Sequence, residues 1–182
     1  LAISGSAPLL AETHADFRAR TGLAVLERYG MTEAQMITSN PGKGSKRLAG
    51  TVGFPLPRVS VRIADDEGRP LPAGKVGILE VKGPNVFKGY WRMPEKTKEE
   101  FRKDGYFISG DLAKMSKDGR VTIVGRAKDL IISGGFNVYP KEIEGELNSL
   151  PGISESAVVG VPHPDFGEGI IAVVTSLPGK AL

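Results

Sequence analysis

The 182-residue sequence has no cysteine, only two histidines (His14 and His163) and one tryptophan, Trp91. Without a thiol it has no disulfide framework, no cysteine nucleophile, no iron–sulfur cluster and no Cys-ligated zinc. Two separated imidazoles with no HExxH pair argue against a histidine-based zinc site. No apolar run approaches the roughly 18 residues of a membrane span. No basic region followed by a long apolar stretch opens the chain, so no secretory signal is read and the cytoplasm is the expected compartment. Charge of one sign is scarce too: 24 Lys and Arg stand against 21 Asp and Glu. That balance is too mild to argue for nucleic acid.

Turn chemistry is what the sequence has in excess. Its 24 Gly and 13 Pro make up about a fifth of the chain, against about 12% ordinarily. Short elements joined by many turns are expected, not a long helical bundle. Hydrophobic residues at 40% and charged residues at 25% describe a globular composition. The length suits one large domain, or a domain and a piece of another. Leu1-Ala2-Ile3-Ser4 reads as a buried strand running into a turn, and 172–177 reads as another strand. Both ends look like cuts through a fold, so a fragment is expected.

The patterning predicts a mixed α/β (α+β) chain. A helix is expected over 9–21, with Leu10, Phe17 and the alanines on its buried face and Gly22 as its stop. A strand at 25–29 should end in a tight turn at Gly30, and the polar, Gly-rich 38–47 reads as a mobile surface loop. Further strands are expected at 60–64, 76–81, 107–115, 120–124, 129–133, 158–161 and 170–174, with Asp118-Gly119 as a hairpin turn. Pro94 should open a helix that runs to Lys103 and stops at Gly105. Pro140 should open another whose Ile143, Leu147 and Leu150 face a core. The short basic stretch 125–128 reads as a linker between two packed units.

Several segments carry chemistry-bearing residues. Tyr29-Gly30-Met31-Thr32-Glu33 sets an aromatic face, a glycine, a hydroxyl and a carboxylate within five positions. Such a set can stack on a base, approach a ligand closely, donate to a phosphate oxygen and hold a hard cation. It can equally be a strand-end turn with an incidental acid. Ser4-Gly5-Ser6-Ala7-Pro8 is a small-residue turn of the kind that lines ligands, but it is not GxGxxG. Residues 41–47 lack phosphate-loop spacing and read as solvated; their cations Lys43, Lys46 and Arg47 are the only candidates for a nucleic-acid contact. Asp111 can hold ribose hydroxyls or cap a turn. Arg126 can fork onto a phosphate or form a surface ion pair. Gly134-Gly135 permits close backbone approach or merely turns the chain. The loop 161–168, which contains His163, reads as structural.

Taken in order, Tyr-Gly-x-Thr-Glu at 29–33, Gly77 to Gly89-Tyr90-Trp91, the Gly-Asp block at 107–112 and the Gly-Arg-x-Lys-Asp to Glu-Ile-Glu run at 125–144 resemble the adenylate-forming superfamily. That superfamily comprises acyl- and aryl-CoA synthetases, luciferases and peptide-synthetase adenylation domains. The resemblance implies a two-step ligase: a carboxylate attacks the α-phosphate of Mg·ATP, then a thiol, usually that of CoA, displaces AMP. It implies that Ser6, Ala7 and Tyr29 line the adenine pocket, that Thr32 contacts the α-phosphate, that Glu33 holds Mg²⁺ and that Asp111 binds the ribose. It also implies that Arg126 meets the nucleotide, that Lys128 is the hinge of a small C-terminal domain, and that Gly134 and Gly135 line the pantetheine channel. Residues 1–126 would then be the end of the large domain and 127–182 the start of the small one.

The Gly-Asp block has Ser109 where most members have Thr. The family's phosphate loop and its C-terminal catalytic lysine match nothing in the sequence, so the chain by itself is not expected to complete the reaction. Residues 4–9, 85–97 and 134–142 look most like malonyl-CoA synthetases, with Ser4 and Met31 placed to narrow the acyl pocket. A medium- or long-chain fatty acid ligase is the alternative, and a non-catalytic binding module is the reading from a different class.

Overall fold

A computed structural model of the chain describes residues 1–7, 9–43 and 47–179. About 17% is helix and 41% strand, so the mixed class expected from the sequence is what forms. The chain divides into two compact units, Leu1–Ile123 and Val124–Leu182.

In the first unit, β1 (Ile3–Ser4), α1 (Ala11–Thr21), β2 (Leu26–Met31), β3 (Gln35–Ser39) and β4 (Phe54–Pro55) build a sheet in the order β1-β2-β3-β4. β1 and β2 are parallel, with Ser4 opposite Glu27, so α1 is the crossover that a parallel pair requires. α1 ends as predicted, with Gly22 left-handed and its N–H donating to the Arg18 carbonyl. Its buried face differs from expectation. His14 is the one buried residue, while Leu10 is exposed and Phe17 half-buried. Ile3, expected to be buried, is also exposed, since β1 lies at the sheet edge.

Two further expectations fail in this sheet. Gly30 does not turn the chain; β2 runs through it to Met31 and pairs with β3 across a bulge. The reason is close approach: a Cβ on Gly30 would collide with the backbone of Gln35. Nor is 38–47 a free loop. Thr38 and Ser39 belong to β3, Thr38 and Asn40 are buried, and Asn40 Nδ2 donates to the carbonyls of Glu27 and Thr51. Arg47 donates to the backbone carbonyls of Pro41, Ala24 and Gly42. Those three bonds tie the Arg47 guanidinium to the backbone of its own segment and of residue 24, and Lys46 lies outside the described residues.

The second sheet runs β5-β6-β7-β8, from β5 (Ser60–Ala64), β6 (Val76–Lys82), β7 (Phe107–Met115) and β8 (Val121–Arg126). α2 (Pro94–Glu99) precedes β7 and is shorter than expected, capped at Glu100 and not carried on to Lys103. The Ser116–Arg120 turn, with Gly119 N–H donating to Ser116 O, makes the predicted hairpin. The two sheets meet where Val52 and Gly53 exchange backbone bonds with Val121 at 3.0 and 2.8 Å. Between them lies one apolar core of Ala34, Ile37, Ile63, Leu79, Val81, Phe107, Ala113 and Val121. Glu80 is 0% exposed and accepts from Arg62 Nε and Arg102 Nε, both at 2.7 Å. Those two bonds partner both oxygens of a carboxyl that water does not reach.

The second unit contains a short 3-10 turn (Ala127–Asp129), β9 (Ile131–Ser133), β10 (Phe136–Val138), α3 (Pro140–Asn148), β11 (Ile153–His163) and β12 (Gly167–Ser176), with sheet order β10-β9-β12-β11. The stretch expected to be a linker, 125–128, is regular structure: the end of β8 and the start of the 3-10 turn. The two late strands are longer than predicted and form one antiparallel hairpin turning at 164–166, with the Asp165 N–H on His163 Nδ1. α3 starts at Pro140 as expected, but its buried residue is Glu144, while Ile143 and Leu147 are half-buried and Leu150 is exposed.

Candidate active site

The candidate site of the first unit is built where β2 ends. The parallel pairing of β1 and β2 sends the turn after β1, residues 5–7, out beside β2. Gly5 lies against the Arg28 carbonyl, where an added Cβ would come within 3.4 Å. Carboxyl ends of neighbouring parallel strands are where α/β folds place ligands. Ser6 and Ala7 are exposed there, and Ser4 is half-buried in β1. Ser6 has φ of 71° and Gln35, just past the β2–β3 turn, has φ of 48°. Each left-handed non-glycine residue costs about 1–2 kcal/mol, and both flank this one end of the sheet.

Tyr29 and Asp111 meet across 82 positions of sequence: the Tyr29 hydroxyl donates to Asp111 Oδ2 at 2.5 Å. Asp111 is only 8% exposed, so the phenol orients a carboxylate that water barely reaches. The Asp111 N–H donates to Ser109 Oγ at 3.1 Å, and that hydroxyl donates to the Leu79 carbonyl at 2.7 Å. Serine therefore supplies both bonds at the position where threonine is usual. The Tyr29 hydroxyl also faces Met31 Sδ at 3.9 Å, which places Met31 beside the pair.

Thr32 and Glu33 form the turn between β2 and β3, Thr32 exposed and Glu33 half-buried. Glu33 is held by a residue that the motif reading did not single out as functional. The Tyr90 hydroxyl donates to Glu33 Oε1 at 3.2 Å, and the Phe87 N–H donates to the Glu33 carbonyl at 2.7 Å. Asn85 Nδ2 donates to the carbonyls of Ala34 and Met36. Burial first, and then the Glu33 carboxylate, push the Tyr90 phenol above its ordinary value, so it stays a donor. The only sequence signal for Tyr90 was its place in the Gly-Tyr-Trp block.

Among the described residues no three His, Cys, Asp or Glu side chains gather to form a metal cage. A lone, half-exposed carboxylate with one oxygen fixed by a phenol suits Mg²⁺, which takes one or two carboxylates and completes its shell with water and phosphate oxygens. Glu33 thus fits the cation that accompanies a nucleotide.

The remaining expected residues belong to the second unit. Arg126 ends β8 and Lys128 lies in the 3-10 turn, both exposed. Gly134 and Gly135 make the β9–β10 turn at φ of 56° and 81°, a conformation that favours glycine. The Gly134 N–H donates to the Phe166 carbonyl at 2.9 Å.

The chain is matched by known proteins over nearly all its length. The family described as AMP-binding enzyme matches residues 1–91, and the AMP-binding enzyme C-terminal domain matches 142–181. A feruloyl-CoA synthase from an Amycolatopsis species is 43% identical over 99% of the chain and 36% of its own length. A malonate–CoA ligase from Arabidopsis thaliana is 43% identical over 96% of the chain and 28% of its own. The crystal structure of ATP-bound MatB from Rhodopseudomonas palustris is 63% identical, with a TM-score of 0.96 over 99% of the chain and 36% of its own. The chain thus spans about a third of the length of these proteins.

Proposed function

The chain belongs to the family of AMP-binding enzymes, and from that premise we propose that it is part of an AMP-forming acid–CoA ligase that makes malonyl-CoA from malonate. One observation carries the choice of substrate: the 63% likeness to MatB, a malonyl-CoA synthetase, over essentially the whole chain. The Arabidopsis relative named for malonate supports the same reading.

In this reading a malonate oxygen attacks the α-phosphorus of ATP, the bond to the bridging oxygen breaks, and pyrophosphate leaves with the electron pair. The CoA thiol then loses its proton, its sulfur attacks the acyl carbon, and AMP departs. Asp111, oriented by Tyr29, accepts from the ribose hydroxyls; a fixed carboxylate gives up little freedom on binding. Ser6, Ala7 and the Tyr29 ring receive the adenine, and Thr32 donates to an α-phosphate oxygen. Glu33 holds Mg²⁺, which supplies charge neutralisation to the phosphates when bound. Donors and charges fixed in place before the reaction carry most of such a barrier reduction. Arg126 meets the nucleotide, Lys128 is the hinge between half-reactions, and Gly134 and Gly135 give the pantetheine arm close backbone passage. Ser4 and Met31 narrow the acyl pocket.

The test is AMP release by the full-length parent with ATP, CoA and one acid at a time. Malonate should be turned over at least tenfold more efficiently than octanoate or ferulate. Equal or better turnover of either competitor sinks the malonate assignment, and no AMP with any acid sinks the ligase assignment.

A further inference from the structure

We propose that Tyr90 is the positioning residue for the Glu33 carboxylate, an assignment that rests on the ligase reading above only for what Glu33 holds. Four bonds tie the 85–90 loop, which follows β6 of the second sheet, to the β2–β3 turn of the first: Tyr90 Oη to Glu33 Oε1, Phe87 N to Glu33 O, and Asn85 Nδ2 to Ala34 O and Met36 O. Two of them secure the backbone of the turn and one that of β3 just beyond it. Only the Tyr90 hydroxyl acts on the carboxylate itself, fixing Oε1.

Tyr90 is itself held in place. Its ring packs edge-on against Phe87 at 4.8 Å, and Phe87 in turn meets Phe107 of the core at 5.3 Å. Its N–H donates to Thr97 Oγ1 at 2.9 Å, and that hydroxyl donates to the Met93 carbonyl at 2.9 Å. Gly89 allows this approach, since a Cβ there would come within 2.6 Å of the Thr97 methyl. A chain of packed groups therefore runs from the apolar core to one oxygen of Glu33. A glutamate in a surface turn samples several rotamers, and holding one of them spares a divalent cation the entropic cost of selecting it. A phenol suits the task because it carries no charge to compete with the cation.

The experiment compares the full-length parent with its Tyr90→Phe form, which keeps the ring and its packing and removes the hydroxyl. Mn²⁺ binding in the presence of ATP, without acid or CoA, is followed by electron paramagnetic resonance. About tenfold weaker Mn²⁺ binding is expected, as for loss of one hydrogen bond to a charged group. The Mg²⁺ half-saturation of AMP release should rise by a similar factor with the KM for malonate unchanged. Thr97→Val should shift Mn²⁺ affinity in the same direction by a smaller factor, and Thr97→Ser should restore it. Unchanged or tighter Mn²⁺ binding by Tyr90→Phe overturns the proposal. Because no acid is present in that measurement, a wrong malonate assignment leaves it intact; a wild-type parent that binds no Mn²⁺ with ATP overturns both.

Discussion

In Leu1–Ile123 two sheets close on a continuous apolar core, whereas in Val124–Leu182 only Val124, Ile131 and Val158 among the described apolar side chains are buried. Ile132, Phe136, Phe166, Ile171 and Val173 of the second unit are exposed. The first unit buries Glu27 and Glu80 and the second buries Glu144, and Glu27 and Glu144 behave oppositely. Burial raises Glu27, and the Gly50 N–H and the charge of His14 do not offset it. Burial also acts to raise Glu144, but Lys141 at 2.6 Å and the Val158 N–H outweigh it, so that carboxyl falls below its ordinary value. The first unit is thus held by packing and tolerates an uncomfortable carboxylate at Glu27 beside the well-partnered one of Glu80, while the second uses a well-partnered carboxylate to fasten α3 to β11. Depth of burial does not set the sign; the partners do.

The largest effect should separate the two interiors. Phe107 is 1% exposed, and Phe107→Ala should cost about 4 kcal/mol in denaturant unfolding. Phe136, 76% exposed, should change stability by no more than about 0.5 kcal/mol when replaced by Ala. Comparable losses would erase the contrast. Next comes Glu144→Ala, which leaves the Val158 N–H unpartnered; about 2 kcal/mol is expected, seen as faster amide exchange in α3 and β11 with little change in β5–β7.

The smaller effects depend on pH and have opposite signs. Glu144 is lowered in the folded chain, so its contribution is present above the ordinary glutamate value and is lost as pH falls through the folded one. The second unit should loosen in acid, and Glu144→Gln should flatten that dependence. Glu27 is raised, so the folded chain binds the extra proton and loses stability as pH rises through the window above the ordinary value. Glu27→Gln, which keeps an acceptor for the Gly50 N–H, should therefore stabilise the first unit at neutral pH and lose that advantage in acid. Thermal melts of both variants from pH 4 to 8 check the pair of signs.

How far the sequence could be read follows from how local each signal is. β5 and β7 were legible in full because their alternation and apolar runs are continuous, and Asp118-Gly119 marked its hairpin by turn chemistry. β3 was not, since Gln35–Ser39 is mostly polar and gains its burial from the sheets around it. Gly30 reads locally as a turn, and only the nearness of Gln35 shows why it sits in a strand. The helix faces were misjudged for the same reason: His14 and Glu144 are polar residues buried by what packs against them. In the site, the residue types of the motifs were visible, but the pairs they form span 82 positions for Tyr29 with Asp111 and 57 for Tyr90 with Glu33. No window of sequence contains either pair.

Malonate-dependent exchange of pyrophosphate into ATP tests, without CoA, the proposal that the end of β2 in the first unit serves acyl-adenylate formation. In the full-length parent, Asp111→Ala should lower exchange by at least a hundredfold. Lys128→Pro, in the second unit, should change exchange by a smaller factor than it changes CoA-dependent malonyl-CoA formation. Exchange that survives Asp111→Ala at the wild-type rate would contradict the account.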